Sequence, residues 1–315
     1  MRLVRWAAFI AAGTYLYLRL ADGQGTYTFR GDVQGALAAA PIWFWPLMLL
    51  LAALNWGLEA AKWRRLMGRL QWMGLGRSFA ATLAGTSIGL VTPNRTGEVV
   101  GRVLFLAPEH RWQGSFATLL GSIAQFATTV VIGVVAMGLW WGRSSVFTGI
   151  VPWGGVVLAL AGAAVAVVTL VLYFRPHLLL RLILMFPFLG RLRRAARVLQ
   201  GYARAELAAV LGLSMARYAI FCFQYLLFLW VFAGMGWVVG LWAVPVIYLV
   251  VTLVPTMMLT ELGVRGSVAV AVLAPWGGEP AMVLLSSFGV WAVNLALPAL
   301  AGAVVILLAR INSRP

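Results

Sequence analysis

Two short polar stretches, residues 92–102 and 255–266, interrupt otherwise apolar sequence. Both contain the spacing Glu-x-x-x-Arg, formed by Glu98 and Arg102 in the first stretch and by Glu261 and Arg265 in the second. A proline five or six residues before each acid ends one helix, and the polar residues after it begin another. The N–H groups at a new helix start favour an anion, and guanidinium groups match phosphate geometry. These residue types therefore predict anion binding.

The candidate binding residues are the polar side chains of both stretches and one arginine elsewhere: Asn94, Arg95, Thr96, Glu98, Arg102, Arg217, Thr260, Glu261 and Arg265. Asn94 or Thr96, and later Thr260, are expected to cap the new helices. Arg217 lies in an apolar run without a local acid, so it either contacts a substrate or pairs with Glu98 or Glu261. The structural alternative is that both Glu-x-x-x-Arg motifs are ion pairs that make a broken helix tolerable.

Composition places these polar groups in a membrane protein. Of 315 residues, 63% are hydrophobic and 10% are charged, whereas soluble domains carry about 25% charged residues. No ten-residue alternating strand pattern occurs, so the fold class is all-α and polytopic. Six runs are long enough to span a bilayer: 3–20, 40–61, 115–141, 148–174, 205–232 and 282–309.

The basic residues predict the orientation. Seventeen of the 24 Lys and Arg residues fall in segments assigned to one side, and three fall in segments assigned to the other. Because loops rich in Lys and Arg stay in the cytoplasm, both termini are expected there. Topology thus accounts for most of the net charge of +16, and no nucleic-acid partner is expected.

The two interrupted regions are too short for two crossings each. Regions 78–106 and 241–274 hold 29 and 34 residues, whereas two crossings need about 40 residues and a turn. Each region must also enter and leave on one face, because its flanking segments lie on the same side. Two re-entrant helical hairpins are predicted, the first entering from the cytoplasm and the second from the opposite face.

These elements suggest one transmembrane domain, 1–315, built from inverted repeats. Residues 40–141 and 205–309 each contain a span, a hairpin and a span, in opposite orientations. Span 148–174 and a basic cytoplasmic connector, 175–204, join the repeats. Transporters with this plan bind their substrate at the midplane between the repeats, so both hairpin tips are expected to form one site.

Other polar residues within apolar runs give weaker signals. Asn55 and Glu59 share one helix face, and Glu59 lies close enough to Lys62 to pair with it. Gln125 and Asn294 are typical of hydrogen bonds between membrane helices. No Cys or His cluster suggests a metal, and no cofactor is expected.

The run from Gly89 to Arg102, preceded by Lys62-Trp63-Arg64-Arg65, resembles the first signature of the lysylphosphatidylglycerol synthase transmembrane, or flippase-like, family. The later stretch resembles the second signature but departs from it: Thr260-Glu261 stands where glycine is common, and Ser267 stands near a usual acid. The resemblance implies an integral membrane protein that moves, or helps move, an anionic lipid between leaflets. No counterpart of the soluble aminoacyl-transfer domain of full synthases is expected in this sequence.

The leading hypothesis is therefore a flippase- or scramblase-like transporter of an anionic phospholipid or lipid-linked phosphate in a bacterial or archaeal cytoplasmic membrane. Anionic membrane lipids are the expected partners, and the oligomeric state stays open. One alternative is a membrane enzyme acting on lipid phosphates. Such an enzyme needs an acid cluster or a nucleophile with its base, and the sequence offers few candidates for these groups. Another is a non-transporting scaffold of a lipid-modifying complex.

Overall fold

The computed structural model describes residues 26–92, 95–140, 154–186, 190, 192–254 and 258–308. Across these ranges the chain is helical and contains no β-strand. This confirms the predicted all-α fold class. Helices are expected of such an apolar chain because every backbone polar group within a bilayer must be paired internally. The first predicted span, 3–20, lies outside the described residues.

The α-helices are α1 (Thr26–Ala39), α2 (Phe44–Met67), α3 (Leu75–Leu90), α4 (Gly97–Val103), α5 (Arg111–Trp140), α6 (Gly154–Phe174), α7 (Pro176–Leu184), α8 (Arg193–Ala196), α9 (Arg204–Ala233), α10 (Trp237–Leu253), α11 (Met258–Leu273), α12 (Pro280–Trp291) and α13 (Leu297–Leu308). A π-helical turn, Ala292–Ala296, joins α12 to α13. Pro298 explains this turn. Its ring clashes with the carbonyl of residue 294, and its backbone nitrogen has no hydrogen to donate to that carbonyl.

Four helical stretches in the described ranges are long and apolar enough to cross a membrane: Phe44–Met67, Pro108–Leu139, Arg204–Ala233 and Pro280–Leu308. They coincide with four of the predicted spans. Residues 148–153 of predicted span 148–174 lie outside the described ranges, and within the rest Ala159–Phe174 is followed by Pro176–Leu184 at a bend of 98°. Proline at 176 explains why the helix does not continue, because it disfavours helical backbone at Arg175. Within the described ranges, the number of helical stretches able to cross a membrane is thus four, or five if the bent pair counts as one span.

The two interrupted regions form pairs of short helices. Helix α3 has 16 residues and α4 has seven, while α10 has 17 and α11 has 16. Each helix is shorter than the roughly 20 residues that cross a bilayer. In each region the two short helices pack on one another. Their re-entrant entry from opposite faces, and the inverted repeat, stay predictions.

The described residues form two compact units. Unit 1 takes its residues from within 1–52, 129–163 and 220–294, and unit 2 from within 53–128, 164–219 and 295–315. The boundaries of α2, α5, α6 and α9 show that each of these helices contributes residues to both units. Each pair of short helices lies in one unit, with α3 and α4 in unit 2 and with α10 and α11 in unit 1.

Two tyrosines hold the helices of unit 2 together. The buried Tyr173 hydroxyl donates to the Leu207 carbonyl at 2.7 Å and joins α6 to α9. Tyr202 donates to the Leu66 carbonyl at 2.6 Å, which joins the segment before α9 to α2. Burial raises the pKa of the Tyr202 hydroxyl. These bonds fix α2 and α9, the helices that carry Glu59 and Arg217.

Unit 1 has an aromatic core. Phe44 packs edge-on against Phe228 and Phe232, with ring centroids 4.9 and 5.2 Å apart. The Ser286 hydroxyl donates to the Phe228 carbonyl at 3.1 Å, so this hydroxyl has a hydrogen-bond acceptor inside the apolar region. Such edge-to-face contacts stabilise a core beyond the area they bury. This core supports the α10–α11 pair.

Candidate functional site

The first polar stretch connects α3 to α4. Thr92 Oγ1 accepts a hydrogen bond from the Gly97 backbone N–H at 2.8 Å. Thr96 precedes α4 but makes no side-chain capping bond. Its predicted capping role is therefore wrong, because Thr92 satisfies the first exposed N–H group instead. Pro93 and Asn94 lie outside the described residues, so the role predicted for Asn94 stays a prediction.

Arg95 occupies an unusual backbone conformation within this connection. Its φ angle is +55°, in the left-handed region that favours glycine. A non-glycine residue in this region costs roughly 1–2 kcal/mol. The connection thus places an arginine where glycine would be less strained. Such strain is typical of positions where the side chain has a function.

Glycines allow α3 and α4 to touch through their backbones. A Cβ atom at Gly101 would lie 2.6 Å from Gly85 Cα and 2.8 Å from the Ala84 carbonyl oxygen, closer than real Cβ atoms approach such groups. A Cβ atom at Gly85 would lie 2.7 Å from Arg102 Cγ. The missing side chains therefore create the space that the stem of Arg102 occupies. This contact directs the guanidinium group toward α2.

The Glu59 carboxylate of α2 is the centre of a buried cluster of charges. Its Oε1 atom accepts from Arg102 Nη1 at 2.6 Å. Its Oε2 atom lies 2.7 Å from Lys62 Nζ and 3.0 Å from Arg217 Nη1. Arg102 Nη2 also contacts Glu98 Oε2 at 3.3 Å. We refer to Glu59, Lys62, Glu98, Arg102 and Arg217 as the buried charge cluster.

Arg217 enters the cluster from α9 and is held on several sides. Its Nε atom donates to Asn55 Oδ1 at 2.9 Å, and its Nη1 atom contacts Gln125 Oε1 at 3.5 Å. The guanidinium carbon lies 5.0 Å from the Trp56 ring centroid, which is a cation–π distance. The like charge of Arg95 lies near enough to repel that of Arg217. Arg217 thus forms an ion pair with Glu59, which is neither of the two acids predicted for it, and its alternative role as a substrate contact stays a prediction.

Burial makes the charge balance of this cluster important. Relative exposure is 3% for Glu59, 2% for Lys62 and 6% for Arg102. The side chain of Arg217 is 12% exposed and that of Glu98 is 24% exposed. Three cations and two carboxylates leave one positive charge in excess. Unbalanced charge is costly to bury in a membrane protein.

The second polar stretch contains its own ion pair in unit 1. Arg265 Nη2 donates to Glu261 Oε1 at 2.9 Å, and the guanidinium carbon lies 5.7 Å from the Tyr248 ring centroid. Helix α11 begins at Met258, so Thr260 lies within the helix and not at its cap. The capping role predicted for Thr260 is therefore wrong. The pair has the local i,i+4 geometry expected of the structural alternative.

The family model described as the lysylphosphatidylglycerol synthase TM region matches residues 28–302. The chain belongs to this family. The resemblance inferred from the two polar stretches is thereby confirmed, and the chain is an integral membrane protein of a lipid-related family. None of the curated proteins compared with it matches. The family assignment does not distinguish a transporter from an enzyme.

In this family member, the structure brings together Glu98, Arg102 and Arg217 of the predicted site, with Arg95 close enough to act on Arg217. Glu261 and Arg265 form a separate pair within the other unit. The joint site of both tips stays a prediction. In the described residues, no group of three or more His, Cys, Asp or Glu could hold a metal ion.

Sequence reasoning missed two members of the cluster as site residues. In the sequence, Lys62 falls in the basic segment that follows span 40–61, and Glu59 lies near the cytoplasmic end of that span. Their i,i+3 spacing and the shared face of Asn55 and Glu59 were the available signals. Helix α2 ends at Met67, six residues beyond the predicted span. The longer helix places both charged groups well inside it, where α4 and α9 reach them.

Proposed function

We propose that this protein moves an anionic phospholipid or lipid-linked phosphate between membrane leaflets. The buried charge cluster and Arg95 receive the phosphate of the headgroup. The acyl chains stay in the surrounding bilayer. On this proposal Arg102 and Arg217 contact the phosphate, and Glu59 and Glu98 hold these cations in place when no lipid is bound.

The observation that carries the proposal is the convergence of Lys62, Arg102 and Arg217 on one carboxylate, that of Glu59. A purely structural ion pair needs one cation for each acid, whereas this cluster has a surplus cation. A phosphate group supplies the missing negative charge and several acceptor oxygens. Since Asn55 and Gln125 also line Arg217, the site offers polar groups for a hydrated headgroup.

The position of the cluster within long apolar helices supports movement across the bilayer. Glu59 and Lys62 belong to α2, and Arg217 belongs to α9, both of which can cross a membrane. Polar groups at such positions mark substrate pathways in membrane proteins. The turn before α4 adds Arg95, which has intermediate exposure. We propose that Arg95 meets the headgroup first and passes it to Arg102 and Arg217.

Lipid exchange in proteoliposomes tests this function. The purified protein is reconstituted with fluorescent phosphatidylglycerol or phosphatidylcholine, and a membrane-impermeant quencher reports the fraction of label in the outer leaflet. We expect fluorescence to be quenched quickly when the labelled lipid is phosphatidylglycerol and more slowly when it is phosphatidylcholine. Exchange no faster than in empty liposomes for both lipids would contradict the transporter proposal.

Arg95→Gln separates the site from general electrostatics. We expect phosphatidylglycerol exchange to fall about tenfold, in line with the loss of one charge-assisted contact of about 1.5 kcal/mol. Arg64→Gln is the matched control, because Arg64 is an exposed arginine near the end of α2. Equal rates in both variants would contradict the site.

Mass spectrometry of the extracted lipid tests the alternative that the protein is an enzyme. A change in the mass of the lipid headgroup would favour an enzyme.

A further inference from the structure

A second cationic feature of unit 2 lies at the junction of α6 and α9. A cavity of about 630 Å³ is lined by Leu170, Val171, Phe174, Arg175, Arg204, Ala205 and Ala208. This size is within the range of small-molecule sites, about 300–1,000 Å³. Its lining shares no residue with the buried charge cluster. The cavity is therefore a separate candidate site.

The lining divides into an apolar part and a cationic part. Five members are apolar, and they come from the last turns of α6 and the first turns of α9. The two arginines stand at the helix ends, Arg175 directly after α6 and Arg204 at the start of α9. A ligand that matches this lining has an acyl chain and an adjacent negative charge.

Neighbouring bonds hold this junction in place without using its arginines. The Tyr173 hydroxyl donates to the Leu207 carbonyl at 2.7 Å and fixes the end of α6 against α9. The nearest acid along the chain, Glu206, is engaged elsewhere: it contacts Arg69 Nη2 at 2.6 Å and accepts from the Ala203 N–H at 2.8 Å. Its charge is thus offset by Arg69, and the cavity keeps its positive character.

The 98° bend between α6 and α7 supports a lipid as the occupant. It occurs at Arg175, where an apolar membrane helix gives way to α7. Exposed apolar residues on α6, including Val167, Val168 and Val171, continue from the cavity along the helix. An acyl chain that leaves the cavity therefore meets an apolar surface, whereas a soluble phosphate would leave this part of the cavity unfilled.

We propose that this cavity binds one anionic phospholipid, with its phosphate at Arg175 and Arg204 and an acyl chain against Phe174 and Ala208. The lipid is a bound partner that stabilises the bend and is not the transported molecule. This inference does not depend on the proposed function, because lipid retention and lipid exchange are measured separately.

Native mass spectrometry of the full chain tests the site. The protein is purified in detergent, supplied with phosphatidylglycerol or phosphatidylcholine, and examined for retained lipid. We expect wild type to retain one phosphatidylglycerol that survives at higher activation energy than phosphatidylcholine. The double variant R175Q/R204Q is expected to lower its apparent affinity on the order of tenfold, since each surface cation contributes to the attraction of an anionic headgroup.

The double variant R193Q/R194Q is the matched control. It removes two exposed arginines of α8 that do not line the cavity, so we expect it to retain the lipid as wild type does. Equal loss in both double variants would overturn the site in favour of non-specific charge attraction. Equal retention in all three proteins would overturn it as well.

Ala208→Trp tests the apolar half of the site with both arginines intact. The larger side chain fills the cavity from an exposed position, so we expect correct folding and weaker lipid retention. Unchanged retention would overturn the proposed acyl-chain position. If R175Q/R204Q fails to fold, Ala208→Trp and the single variants Arg175→Gln and Arg204→Gln still decide between the outcomes.

Discussion

Glu59 and Arg102, which are 43 residues apart in sequence, form a hydrogen-bonded ion pair at 2.6 Å with both side chains almost fully buried. The pair joins the long helix α2 to the short helix α4. It therefore couples a membrane-spanning element to the turn that contains Arg95.

Glu59→Gln removes the carboxylate on which three cations converge. We expect the free energy of unfolding to fall by about 3–5 kcal/mol, because the variant leaves buried cations without their partner. The thermal unfolding midpoint in detergent, followed by tryptophan fluorescence, measures this loss. Glu109→Gln is the control, since Glu109 is exposed and its loss should shift the midpoint little. Similar midpoints for both variants would contradict the central role of Glu59.

Arg102→Lys tests the geometry of the cation and not its charge. Arg102 reaches Glu59 with Nη1 and Glu98 with Nη2, whereas a lysine ammonium group lacks this fork. We expect a stability loss of about 1–3 kcal/mol and slower phosphatidylglycerol exchange. A double-mutant cycle with Glu98→Gln isolates the second contact. Wild-type behaviour of Arg102→Lys would show that a point charge suffices.

Arg95→Gly separates backbone strain from side-chain function. Glycine adopts the +55° φ angle of this position without strain, so we expect unchanged or higher thermal stability, by up to about 1 kcal/mol. Lipid exchange should fall, because the cation at the turn is lost. Stability and exchange that change in the same direction would argue that Arg95 has only a structural role.

Gly101→Ala tests the close contact between α3 and α4. The added methyl group meets backbone atoms of α3 that cannot rotate away, so we expect a loss of about 1–3 kcal/mol and slower exchange. Gly57→Ala is the matched control, because a Cβ atom at that helical position has no neighbour within 4 Å. It should be neutral or stabilising. A neutral Gly101→Ala would show that the helices can separate without cost.

The second Glu-x-x-x-Arg motif is tested by exchanging its two residues. Glu261→Gln should destabilise the protein by about 1–3 kcal/mol, because it leaves the largely buried Arg265 without its acceptor. The double variant E261R/R265E keeps one cation and one acid at i,i+4 and should recover part of this stability. Recovered stability with lost lipid exchange would indicate that the Glu261–Arg265 pair has a functional role. Recovery of both stability and exchange would indicate that its role is structural.

Local properties of the sequence were enough to predict the fold class and most of the helices. Hydrophobic length decides which segments cross a membrane, so four predicted spans coincide with membrane-capable helices of the structure. Proline and charge interruptions likewise marked α3–α4 and α10–α11 as short helices. The Glu98–Arg102 and Glu261–Arg265 pairs followed from helical spacing alone. These features depend on residues that are near one another along the chain.

Only the tertiary structure decided which charged groups meet. Arg217 and Asn55 are 162 residues apart, and no spacing rule relates them. By sequence, Lys62 belongs to a run of basic residues expected in the cytoplasm. In the structure, the packing of α2 with α4 and α9 buries it. Sequence therefore determined that polar groups interrupt membrane helices, whereas packing decided that Glu59 is their common partner. The physical reason is that the strength of an ion pair depends on distance and burial in three dimensions, and neither is a property of the local sequence.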